Sequence, residues 1–228
     1  MRLVLCRARL SIVRDALVYA AGVAVSPVAI ASILLLLTSR GASANGTSFA
    51  VGWAAGVAAL AGVFAVLVRV VGIVDKHPVW IALVELVLGG VFVVAAAALL
   101  GRQARRQAQS LMFVSAADTL TPARAAGVGS VLSAANPKIM ALALGAAVTL
   151  AQEGAGGVTT VETVALFAMI GSAGVLIPLG AHFAFPSRSR SVLAGARAWL
   201  VRYEIPVFVL LGLAIGAVFI TDGLRSLP

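Results

Sequence analysis

Six apolar stretches, at about residues 17–37, 49–74, 79–100, 126–151, 161–185 and 206–220, fill most of a 228-residue chain. A hydrocarbon layer about 30 Å thick is crossed by about 20 apolar residues of α-helix. Inside that layer every backbone N–H and C=O must be satisfied within the segment, which leaves the helix as the structure for single runs of this length. The expected fold is therefore all-α: a polytopic membrane protein with six transmembrane helices and no separate soluble domain. The sixth run is the shortest, and residues 199–203 extend it into the interface. The separators carry breakers and charge: 38–47 is polar, 75–78 a tight turn, 101–124 long and basic, 152–160 Gly-rich, and 186–202 basic again.

Charge separates this class from its rivals. Only 11% of residues are charged against 61% hydrophobic, and the mean hydropathy is +1.09, whereas soluble domains carry about 25% charged residues. The net charge of +9 raises nucleic acid as a partner. The arginines, however, gather in the gaps between apolar runs, where they face anionic headgroups, and do not form the single basic face of a nucleic-acid binder. No nucleic acid is expected. Cys6 is the sole cysteine, which excludes an intrachain disulfide, a CxxC pair or a thiolate cluster. No GxSxG, HExxH, Walker motif or paired aspartates occur, so neither an enzyme nor a cofactor is expected.

Arginine placement sets an orientation, because cytoplasmic loops collect Lys and Arg. Arg102, Arg105, Arg106 and Arg124 precede the fourth run, and Arg188, Arg190, Arg197 and Arg202 precede the sixth, while the loop between the fourth and fifth has none. The third and fifth loops are then cytoplasmic and both termini external. Arg2, Arg7, Arg9 and Arg14 oppose that placement of the amino end. Three readings answer the conflict: an amphipathic surface segment, a start assigned too far upstream, or a signal sequence cleaved after Ala42-Ser43-Ala44.

Three spans per half is an odd number, so homologous halves insert with opposite topology, as in many secondary transporters. Residues 17–100 form the first three-helix repeat, 101–125 a basic cytoplasmic loop, and 126–221 the second repeat. The two halves share a helix breaker: Ser26-Pro27 in the first run matches Asn136-Pro137-Lys138 in the fourth. Proline removes a donor and clashes with the preceding turn, freeing carbonyls that lipid cannot satisfy. Paired broken helices are a pointer to a transporter binding site. The competing reading makes each proline an ordinary kink of the kind membrane helices tolerate.

Lys138 is the sharpest residue, since a lysine at the centre of a lipid-facing helix costs about 2.5–3.5 kcal/mol on insertion scales. It needs water, an anion or a partner, or else it snorkels to the interface from a helix that begins later. Asn136 offers an amide to the carbonyls released by Pro137. Glu85 is the acidic residue well inside an apolar run; it pairs with Lys138 or relays protons, or it meets interfacial water beside Trp80. Arg69 and His182 lie near span ends and read as interface residues. His182 has no second ligand at metal spacing, so no metal is expected. Gly52, Gly56 and Gly62 suit close helix approach, most simply as intramolecular packing. Asn45-Gly46-Thr47 matches a glycosylation sequon and is set aside.

NPKIMALALGAAVTLAQ, the earlier SPVAIASILLLL, and the ending LIPLGAHFAFPSRSRSVLAGARAWLVRYEIPVFVLLGLAIGAVFITDGL resemble the GAP family. Its members are described as sulfolipid-1-addressing or peptidoglycolipid-addressing proteins within the lysine-exporter (LysE) superfamily. The resemblance runs over nearly the whole chain from about residue 17. It implies a six-span, multi-pass protein of the cell inner (plasma) membrane needed to bring envelope glycolipids to the surface. The partners it implies are a membrane lipid or glycolipid substrate and a larger lipid pump, with a homo-oligomer left open. By motif, Ser26, Pro27, Asn136, Pro137 and Lys138 are the binding positions to test. The arginine-rich amino extension and Glu85 have no counterpart in the family pattern. Two other functions remain in view: a proton-coupled exporter of a small solute such as an amino acid, and a scaffold that recruits a lipid pump without transporting anything.

Overall fold

The structure, a computed structural model, describes residues 18–72 and 119–185 continuously, with single positions within 86–98 and 192–224. Seven helices are described in the continuous segments: α1 (Val18–Ala24), α2 (Pro27–Leu37), α3 (Ala42–Val71), α4 (Pro122–Ala134), α5 (Pro137–Gln152), α6 (Gly157–Gly171) and α7 (Ala173–Ala184). No strand occurs among the described residues. Among the described residues, helix α3 alone is long and apolar enough to cross a membrane. The count rises to four if the bent pairs α1–α2, α4–α5 and α6–α7 each make one span. Six spans is thus an expectation that the described residues do not reach. Glu85, Cys6, the four amino-terminal arginines and the basic residues of 102–106 and 188–202 lie outside them.

Two compact units divide the chain, 1–74 with 117–194 and 75–116 with 195–228. In the first, α3 is the axis on which α2, α4, α5, α6 and α7 pack. Its 30 residues extend about 45 Å at 1.5 Å per residue. In the second, the described positions are helical, and two helices cross backbone to backbone at Gly89 and Gly216. A Cβ on Gly89 would stand 2.9 Å from the Gly216 carbonyl, and one on Gly216 would stand 3.0 Å from that of Gly89.

Small residues set the closest crossing, between α3 and α4. A Cβ on Gly52 would collide with the Ala126 carbonyl, one on Gly56 with the Ser133 hydroxyl, and one on Gly129 with the Phe49 carbonyl. Ser130 Oγ donates to the Gly52 carbonyl at 3.0 Å. Phe49 and Trp53 stack beside the crossing with ring centroids 6.1 Å apart, both fully buried. The expected intramolecular use of the α3 glycines therefore holds for Gly52 and Gly56. Gly62 departs from it, with nothing within 4 Å of its Cβ position. Lower on α3, Ala65 and Val68 pack against Ala147 of α5.

Several boundaries differ from the sequence expectation. The polar separator 38–47 shrinks to a turn, because α3 begins at Ala42. Asn45 lies inside that helix, 3% exposed, and its amide donates to the Leu120 carbonyl at 2.9 Å. A buried polar group of this kind is retained where it meets a partner. Ala42, Ser43 and Ala44 form the first turn of α3. Pro122 starts α4 at N1, capped by Thr121, whose hydroxyl accepts from the Arg124 N–H. The fifth apolar run, expected as one helix, bends by 60° between α6 and α7.

Polar contacts also sort the helix ends. Asn45 with Leu120, and Ser43 Oγ with His182 Nε2 at 3.2 Å, gather the starts of α3 and α4 and the end of α7. At the opposite end of α3, the Arg69 guanidinium donates to the Ala155 carbonyl and to Thr160 Oγ1. Arg69 and His182, expected at an interface, each tie two elements together there.

Candidate functional site

Each proline break follows from its own residues. In α2, Pro27 is the first helical residue, and Ser26 precedes it in an extended conformation. Helical hydrogen bonding resumes from the Ser26 carbonyl, which accepts from the Ile30 N–H at 3.0 Å. The axis turns by 46°. In the second break, Asn136 is the extended N-cap and Pro137 the first residue of α5. Asn136 Oδ1 accepts from the Lys138 N–H at 3.0 Å, which satisfies one of the unpaired donors at a helix start. This axis turns by 62°. The breaks match in position but not in chemistry: Asn136 caps α5 through its side chain, and Ser26 makes no such bond to α2.

The Lys138 side chain joins the two breaks. Its Nζ donates to the Val25 carbonyl at 2.6 Å across 113 positions of sequence. Val25 lies between α1 and α2, its N–H still bonded to the Ala21 carbonyl at 3.4 Å, while its own carbonyl lacks the intrahelical donor of an unbroken helix. The ammonium supplies it. Lys138 and Asn136 are half-buried, Ser26 and Pro27 are buried, and Pro137 is exposed. Helix α1 also lies on α5, where Tyr19 fills the space beside Gly145 and Leu142 the space beside Gly22.

A third break joins this pair, and sequence reading missed it. Ser172 closes α6 and opens α7 with no proline at the junction; adjacent Gly and Ser are a recognised cause of sharp kinks. The available signal was Gly171-Ser172-Ala173-Gly174, a run of small residues inside an otherwise bulky apolar stretch. Ser172 is fully buried, and its Oγ has no hydrogen-bond partner. A Cβ on Gly171 would stand 3.0 Å from Val23, and one on Gly174 would strike the Ala24 carbonyl. The end of α1, Val23 to Val25, therefore meets the α6–α7 break through Gly171 and Gly174 and the α4–α5 break through Lys138.

Of the expected site residues, Ser26, Pro27, Asn136, Pro137 and Lys138 come together here, and Glu85 lies outside the described residues. The cluster offers one ammonium, one amide, two buried hydroxyls and the carbonyls of interrupted helices. Such a set is chemically complementary to polar and acidic groups. It contains no nucleophile paired with a base, and no group of three or more His, Cys, Asp or Glu fit for a metal occurs among the described residues.

No curated protein and no solved structure matches the chain. A family model described as "Sap, sulfolipid-1-addressing protein" matches residues 16–225, a span that takes in all three breaks and most of both compact units. On that match the chain belongs to the sulfolipid-1-addressing protein family, whose role lies in the handling of envelope lipids.

Proposed function

We propose that this protein is a non-enzymatic export factor for envelope glycolipids, spanning the inner membrane six times as two inverted three-helix repeats in the manner of the lysine-exporter superfamily. The observation that carries the reading is the Lys138–Val25 bridge between two broken helices from opposite halves of the chain. Interrupted helices at matching places, with irregular backbone turned inward, are how secondary transporters hold polar cargo in lipid.

In this mechanism an acidic headgroup competes with the Val25 carbonyl for the Lys138 ammonium. Asn136, Ser26, Ser172 and the freed carbonyls bind the remaining polar groups of the headgroup, and the acyl chains stay in the bilayer. Transfer of Lys138 from Val25 to the headgroup unlinks the two breaks, and the halves rock to alternate access. Glu85 is the proposed intramembrane counter-charge or proton relay. A larger lipid pump is the proposed partner that supplies or receives the cargo.

The test compares envelope lipids of a deletion strain complemented with the parent chain or with Lys138→Ala. The expected result is membrane-inserted variant protein with surface glycolipid reduced to the deletion level. Normal lipid display with Lys138→Ala would remove the conduit and leave the scaffold reading. A deletion that changes cytoplasmic solute pools and leaves surface lipids intact would favour the small-solute exporter.

A further inference from the structure

Trp53 carries a polar group that the export reading leaves without a task. Its side chain is fully buried, and Nε1 has no hydrogen-bond partner among the described residues. An indole N–H can only donate, and a buried tryptophan ordinarily finds an acceptor for it.

The helix face decides where this donor lies. On α3, Gly46 and Val57 stand seven positions before and four after Trp53, so the three share one face. A Cβ on Gly46 would meet Leu37 of α2 at 2.7 Å and Leu179 of α7 at 3.4 Å. Val57 stands 3.6 Å from the Cβ position of Gly171, which Val23 of α1 approaches to 3.0 Å. Trp53 is therefore bracketed by a contact with α2 and α7 on one side, and by the end of α1 and the α6–α7 break on the other. Ser172, the residue after Gly171, opens α7 there and is fully buried with its own hydroxyl unpartnered. Two orphaned donors thus belong to the packed group of helices that carries the first and third breaks.

We infer that Trp53 is a specificity residue of the conduit: its indole N–H, with Ser172 Oγ, holds an uncharged oxygen of the cargo, an ester, ether or hydroxyl oxygen next to the acidic group that Lys138 takes. This rests on the export reading above and adds a selection rule to it. A desolvated donor favours a ligand that brings an acceptor and penalises one that leaves the donor unpaired. Acidity alone is then not enough for a good cargo. Access follows from the step already described. Val23 packs on Gly171 at the end of α1, and release of Lys138 from Val25 frees that end.

The test uses the full chain with Trp80→Phe and Trp199→Phe, purified in a maltoside detergent, so that Trp53 gives the one indole N–H resonance in a 1H–15N spectrum. Three probes share an anionic phosphate: oleyl phosphate, oleoyl lysophosphatidic acid, which adds an ester and a hydroxyl, and its 1-O-alkyl analogue, which has an ether in place of the ester. The expected result is a saturable downfield shift of the indole with lysophosphatidic acid. Calorimetry should show it binding about tenfold tighter than oleyl phosphate, the worth of one neutral hydrogen bond. Trp53→Phe and Ser172→Ala should each erode that advantage, and Ser172→Ala, which leaves the indole in place, keeps the test open where Trp53→Phe fails to fold. An ether analogue equal to the ester supports the proposal with the hydroxyl or ether oxygen as acceptor, and a weaker one supports it with the ester carbonyl. An indole that no probe moves, equal affinity for oleyl phosphate, or an advantage kept in both variants overturns it. Lys138→Ala separates the two readings. Unchanged lipid display in that variant defeats the conduit whatever the indole does, whereas lost display beside an unmoved indole defeats only the role of Trp53.

Discussion

Lys138 Nζ lies 2.6 Å from the carbonyl oxygen of Val25, so the positive charge of the fourth apolar run is spent on the backbone opened by the first. An ammonium inside lipid and an unpaired carbonyl inside lipid are each unfavourable alone. Together they answer one another, and the contact fixes the two breaks at one point. Removing the lysine leaves the carbonyl without its donor. Lys138→Ala should cost about 1.5–3 kcal/mol, the range for hydrogen bonds to charged groups, and Lys138→Gln, which keeps a donor, should cost less. Melting of the purified variants in detergent checks the order.

Asn136 and Ser26 stand at equivalent positions and should respond differently. Asn136→Ala removes an N-cap bond from α5 and should destabilise by about 0.5–2 kcal/mol. Ser26 makes no cap bond, so Ser26→Ala should have the smaller effect. Equal melting shifts for the two variants would show that capping is not what distinguishes the breaks.

Ser172 separates stability from function. Its buried hydroxyl has no partner, and relieving an unsatisfied polar group of this kind is worth about 1–3 kcal/mol. Ser172→Ala should therefore melt at the same temperature as the parent or higher while surface glycolipid falls. A variant that is both destabilised and fully active would contradict this assignment.

The α3–α4 crossing provides a packing test with an internal control. Gly52→Val places a side chain where the Ala126 carbonyl stands, and overpacking costs about 1–3 kcal/mol or more. Membrane levels of the protein should drop sharply. Gly62→Ala, with nothing within 4 Å of the new atom, should be neutral or stabilising by up to about 1 kcal/mol through helix propensity.

Sidedness follows from the two groups of end contacts. In a Cys6→Ser background, exposed Ala44 and Ala123 replaced singly by Cys should react with an impermeant maleimide from one side of the membrane. Gln152→Cys, exposed beside the Arg69 contacts, should react from the other side. Labelling of all three from one face would rule out spans between these ends.

Sequence alone was enough to establish the helical class, the apolar runs, the two proline breaks and the family, because each is local: run length, a missing N–H and motif order are written along the chain. It also marked Lys138 as a residue in need of a partner. Which partner it takes was decided by the tertiary structure, since Val25 lies 113 positions away and any freed carbonyl has the same chemistry. Tertiary structure likewise chose Gly52 and Gly56 over Gly62 for the close crossing, a choice made by which turn of α3 faces the small residues of α4. It drew Ser172 into the cluster as well. A Gly-Ser bend carries no obligatory lost donor to betray it in a sequence, and it becomes a break only where a neighbouring helix end, here Ala24, leaves no room for the chain to run straight.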